Sequence, residues 1–148
     1  MTPSRTRARA ILVLAVLLGA LGVAAVVLGV VDGRATARAE DEAASVAAVR
    51  GHLTALVAAP SSPTARTQAL DGATGAWRAQ LEAGATPAAA GSAVVVRGVG
   101  VESLDGDSAR VLAAARLTDG TAQRAWRVTA TLTRQDDRWL VSDLAEVP

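Results

Sequence analysis

The sequence predicts an α+β protein with an N-terminal transmembrane helix, followed by about three helices packed on a curved four-stranded antiparallel sheet. Three observations predict it. Residues Ala10–Val31 are apolar without a break, and apolar residues then recur at alternating spacings of three and four toward Ala59. After Gly91 the pattern changes to a period of two, the signature of strands. Helices first and a meander second place the helices on one side of an antiparallel sheet.

The first element is the run from Ala10 to Val31, AILVLAVLLGALGVAAVVLGVV. As a helix it is about 33 Å long, enough to cross a bilayer core of about 30 Å. A helix also satisfies its own backbone groups where no water is present. Arg5, Arg7 and Arg9 precede the run, and the acidic patch Glu40, Asp41 and Glu42 follows soon after it. The positive-inside rule then gives a cytoplasmic basic tail at 1–9, a transmembrane helix at 10–31 and an exported domain at 32–148. A cleaved signal peptide is the alternative, with Ala37-Arg38-Ala39 as a small-x-small site. Its apolar region spans about 7–15 residues, shorter than this run, which favours a retained single-pass anchor in the cell membrane.

The remaining elements follow in order. Asp32 is placed to cap a new helix. Val46, Val49, Leu53 and Leu56 share one face of that helix, a seam suited to packing on the protein's own sheet or to pairing with another helix. Pro60-Ser61-Ser62-Pro63 ends it, and Ser62 before Pro63 starts a short helix through Leu70. A third helix begins near Thr74 and carries Trp77 and Leu81 on one side, until Gly84 and Pro87 stop it. The first strand, Val94 to Leu104, has Gly98 and Gly100 in its interior, which predicts a bulge or sharp bend and hence a curved sheet. Asp105-Gly106 and Asp119-Gly120 are turn signals on either side of the strand Ala109–Leu117. Trp126, Val128, Ala130 and Leu132 then alternate with Arg127, Thr129, Thr131 and Thr133, a half-buried strand. Gln135-Asp136-Asp137 turns into the last strand, Arg138–Leu144, with Trp139 and Val141 on one face.

Composition narrows the chemistry. The chain has 148 residues and a net charge of +1, which the tail arginines more than supply. The exported part is slightly acidic, so nothing in the charge points to nucleic acid. Cysteine is absent, which removes disulfides, thiolate nucleophiles and Cys-based metal sites. Tyrosine is absent too, so no phenolic donor exists for acid–base catalysis. His52, the sole histidine, reads as a helix-surface or boundary residue, because one histidine without a placed partner is poor evidence for proton transfer or metal binding. Asp105, Asp107, Asp119, Asp136 and Asp137 fall in turns, where aspartate bonds nearby backbone amides. Arg124, Arg127 and Arg134 could form a basic stripe for an acidic partner or lipid headgroup, although a solvated strand face explains them. No phosphate-binding glycine loop is present, because no helix directly follows Gly98 and Gly100. The tryptophans Trp77, Trp126 and Trp139 could meet through adjacent strands and a covering helix, as a core cluster or as the lining of an apolar pocket.

Several residues along this order resemble the Mce-associated membrane proteins of actinobacteria. They are the alanine-rich helix after the membrane run, Ala73-Thr74-Gly75 at the start of the helix bearing Trp77, and the valine-rich strand after Gly91. The ending Asp136-Asp137-Arg138-Trp139-Leu140-Val141-Ser142-Asp143-Leu144 is also similar to that family's. The resemblance implies a cone-shaped, nuclear transport factor 2-like (cystatin-like) exported domain with no attributed catalytic residues. It further implies an accessory role in an Mce-type lipid or sterol transport system.

The resulting expectation is a non-enzymatic accessory protein without cofactor or metal. The bilayer holds it through Ala10–Val31, envelope proteins of the transport system are its partners, and a homo-oligomer stays open. Two alternatives are a scaffold subunit of a secretion or conjugation machine and a small domain that binds an apolar ligand.

Overall fold

The computed structural model of the chain describes residues 34–148, so the basic tail 1–9, the run Ala10–Val31 and the Asp32 cap lie outside the described residues. Among the described residues no helix is long and apolar enough to cross a membrane. The chain divides into two units, Met1–Glu40 and Asp41–Pro148. In the first, residues 34–40 are helical and exposed.

The second unit has the predicted α+β order. Helix α1 is described over residues 34–58, of which 41–58 belong to this unit. Helix α2 spans Pro63–Asp71 and α3 spans Gly75–Glu82. Four strands follow, β1 Ala93–Asp105, β2 Ser108–Asp119, β3 Ala122–Gln135 and β4 Arg138–Glu146, paired antiparallel in the order β1-β2-β3-β4. The helices begin and end where local chemistry directs. The Ser62 hydroxyl accepts the Ala65 amide at 3.2 Å as the α2 cap, with Pro63 supplying a preset φ at the first helical position. Gly84, at φ +95°, ends α3 in a conformation that a side chain would strain.

The strand turns sit one residue later than the Asp-Gly signals suggest. Asp105 pairs with Ser108 and Asp119 with Ala122, so the loop residues are Gly106-Asp107 and Gly120-Thr121. The two-residue loop needs a positive φ at its first position, and Gly106 (+54°) and Gly120 (+57°) supply it there, leaving each aspartate as the last strand residue. Asp136 (+50°) and Asp137 (+58°) carry positive φ at both positions of the last turn, the type I′ pattern without a glycine.

Register shifts set the curvature. In β1 they fall between Val96 and Gly98 and between Val101 and Ser103, so Arg97 and Glu102 are the extra residues. The first bulge adjoins the predicted glycine, whereas the second lies two residues past Gly100. A third, between Thr131 and Leu132, places its extra residue, Ser142, on β4. The two central strands pair without a break from Ser108↔Thr133 to Asp119↔Ala122.

The core lies between the helices and the inner face of the sheet. Val49, Leu53, Leu56 and Val57 of α1, with Trp77 and Leu81 of α3, meet the inward residues of β2–β4. Along β2 the alternation is strict, with Ala109, Val111, Ala113, Ala115 and Leu117 buried. Each fully buried Leu or Val contributes about 1.5–3 kcal/mol, and the many alanines let the helices approach closely. The link between α2 and α3 also covers part of the β4 edge. The Thr74 amide donates to Val141 O at 2.8 Å and the Val141 amide donates to Gly72 O at 2.9 Å. Arg134 ties α1 to the far end of β3, reaching Asp41 at 2.7 Å while its guanidinium lies 5.8 Å from the centre of the Trp139 ring.

Candidate functional site

The three tryptophans are all buried, but they do not converge. Trp126 pairs with Ala115 of β2, and Trp139 pairs with Arg134, eight positions further along β3. At about 3.3 Å per residue this separates them by roughly 26 Å along the sheet, so they cannot meet across β3 and β4. The cause is register: β4 begins at the end of β3 remote from Trp126. Trp77 and Trp126 instead line one small recess of about 210 Å³ with Pro87 and Leu144, while Trp139 belongs to a different one. Among the described residues no acid is buried.

The helical seam turns inward. Val49, Leu53 and Leu56 are core residues and Val46 is half-buried, so α1 spends its apolar face on its own domain. Packing on the protein's own sheet is therefore its observed use.

His52 departs most from the sequence expectation. It is not a surface or boundary residue but only 4% exposed, and its Nε2 accepts the Trp77 indole N–H at 2.9 Å. The rings meet edge to face, 6.3 Å between centres. An indole N–H can only donate, so Nε2 must be the unprotonated nitrogen and the neutral ring carries its proton on Nδ1. Burial lowers the imidazole pKa from 6.5 to about 4, so the ring is neutral near pH 7. The signal was present in the helical period: position 52 follows Val49 by three and precedes Leu56 by four, on the buried side. Only the fold shows that an indole from α3 would supply its partner.

Among the described residues, two buried polar side-chain atoms have no hydrogen-bond partner, His52 Nδ1 and Trp139 Nε1. Both residues line one groove of about 580 Å³. Its wall on α1 is small, formed by Ala44, Ala47, Ala48, Gly51 and Ala55. Gln68, Asp71 and Gly72 at the end of α2, and Asp137 and Arg138 in the last turn, complete it. Gly72 lies close to His52: a Cβ there would sit 3.0 Å from Nδ1. This groove, absent from the sequence reading, is the candidate site.

The arginines do not form one stripe. Arg124 and Arg134 share the helix-facing parity of β3, and Arg127 points to the opposite face. Arg124 pairs with Glu146 at 2.9 Å, Arg134 with Asp41 and, at 3.5 Å, with Asp137. Arg127 donates to Pro148 O. Among the described residues no group of three or more metal-ligating side chains forms.

Compared with protein-family models, curated proteins and solved structures, the chain has no match.

Proposed function

We propose that the chain is a non-enzymatic accessory protein, held in the cell membrane by Ala10–Val31, whose exported nuclear transport factor 2-like domain binds components of an Mce-type lipid or sterol transport system. The observation that carries this reading is the unbroken apolar run with its arginines on one side. The resemblance around Ala73-Thr74-Gly75 and in the closing strand supplies the identity of the partners. The outer face of the sheet supports docking: Val95, Leu112 and Val147 are 49%, 46% and 39% exposed. Leu112 and Val147 border an apolar recess of about 310 Å³ there, a contact surface available to a protein partner.

Co-purification from detergent-solubilised membranes tests the reading. Mce-type permease components are expected in the eluate of the wild type and not of Leu112→Arg, an exposed change that leaves stability within about 0.5 kcal/mol. Their absence from the wild-type eluate refutes the partnership. The chain contains no cysteine, so orientation can be read with single introduced thiols. Thr121→Cys should react with a membrane-impermeant maleimide in intact cells, and Ser4→Cys only after permeabilisation.

A further inference from the structure

We infer that β1 is a self-pairing edge: a second copy of the chain lays its own β1 alongside, antiparallel about a two-fold axis at Gly100, and joins the two four-stranded sheets into one. This goes beyond the docking role, uses the strand edge rather than the outer face, and stands without it.

The two edges of the sheet are not alike. The β4 edge is met by the α2–α3 link, through the bonds of Gly72 and Thr74 to Val141. Strand β1, 13 residues long, has a hydrogen-bonded neighbour on one side only among the described residues. Such an edge presents backbone donors and acceptors that another strand can use. Its two bulges restrict which strand that is. Val94, Val96, Val99, Val101 and Leu104 share the helix side with the buried residues of β2 and are half-buried, while the other positions of β1 are exposed. An extra residue inverts the alternation, so a regular strand could match β1 only between the bulges, from Gly98 to Val101.

A reversed copy of β1 matches it throughout. Counted outward from Gly100, the order of exposure is the same in both directions. Val99 and Val101 are half-buried, the next two residues on each side are exposed, Val96 and Leu104 are half-buried, and Val95 and Asp105 are exposed. Two copies reversed about Gly100 therefore set Val99 against Val101 and Val96 against Leu104, apolar pairs on the helix side. The bulges fall opposite each other, so neither breaks the register.

Charge follows the same symmetry. On the exposed face Arg97 and Arg116 lie to one side of Gly100, and Glu102, Asp105 and Arg110 lie to the other. Arg110 is held by Glu102 at 2.8 Å and Arg116 donates to Gln123 at 3.2 Å, whereas Arg97 has no ion pair among the described residues. Reversal puts Arg97 opposite Ser103 of the second copy, beside that copy's Glu102 and two residues from its Asp105. The same contact repeats on the other side of the axis. At the axis Gly100 meets Gly100, where a Cβ would find nothing within 4 Å, so the backbone is open to approach.

The test uses the purified full chain in detergent micelles. The chain has no cysteine, so each introduced thiol is single. Across the axis the Cα atoms of paired residues stand about 4.5–5.5 Å apart, within disulfide range. Gly100→Cys, oxidised with copper phenanthroline, should give a disulfide-linked dimer. Val95→Cys is equally accessible, but its own copy would lie roughly 33 Å away, and it should stay unlinked. Charge reversal tests the register without altering the backbone at Gly100. Arg97→Glu and Glu102→Arg should each weaken self-association about tenfold in sedimentation velocity, and an equimolar mixture of the two should restore it, because both contacts are then complementary. No link in Gly100→Cys, equal linking in Val95→Cys, or a mixture no tighter than its components would each overturn the pairing. Self-association indifferent to both reversals would assign it to another surface and overturn it as well.

Discussion

His52 shows how one side chain can make stability depend on pH. Its pKa is lowered to about 4 by burial, while in the unfolded chain it returns to about 6.5. Between those values the unfolded state binds more protons, so the stabilisation is complete above pH 6.5 and is lost as the pH falls toward 4. The loss is about 3 kcal/mol over that window. Urea midpoints measured from pH 7.5 to 4 should fall in wild type, and His52→Gln should flatten this part of the profile. Gly72 is bound to the same place by space rather than by conformation, since its φ of −86° suits any residue. Gly72→Ala puts a methyl group 3.0 Å from Nδ1 and 3.3 Å from Gln68 O, so a loss of about 1–3 kcal/mol in denaturant unfolding is expected.

At the scale of elements, the last turn holds the clearest strain. Asp136 and Asp137 both occupy the left-handed region, which aspartate tolerates but Asn-Gly fits better. The double change Asp136→Asn, Asp137→Gly should raise stability by about 1 kcal/mol, measured as a higher urea midpoint at unchanged slope. Losing the Asp137 contact with Arg134 should subtract little, because that carboxylate is almost fully exposed. Ser62→Ala should cost about 1 kcal/mol by freeing the Ala65 amide. These elements were legible from particular residues. Ser62-Pro63 announced α2, Trp77 and Leu81 at a spacing of four announced the buried side of α3, and the Trp126–Leu132 alternation announced the inner face of β3. The bulges at Arg97 and Glu102 were only half legible. Glycines mark where a strand can bend, but pairing with β2 decides where the extra residue falls.

At the scale of the whole molecule, every described residue of the main core cluster lies between Val49 and Val141. A fragment of residues 34–148 therefore retains this cluster and should unfold in one cooperative step. Far-UV circular dichroism and tryptophan emission should then give coincident transitions. All three indoles are buried, so that step should also shift their emission to the red together. If Ala10–Val31 holds the protein in the bilayer, the same fragment should no longer sediment with membranes.

The sequence by itself determined the order of elements, their faces and the apolar run, because these depend on the period of side chains along one segment. The candidate groove was not legible in the same way. It needs α1, the end of α2 and the last turn at one place, and nothing local to Gly72, Ala48 or Trp139 encodes their meeting. Tertiary structure decided that His52 is buried with Trp77 as its partner, and that Trp126 and Trp139 stay apart. Both outcomes follow from register and helix docking, which place residues distant in sequence according to how the whole apolar surface is best covered, not according to their neighbours in the chain.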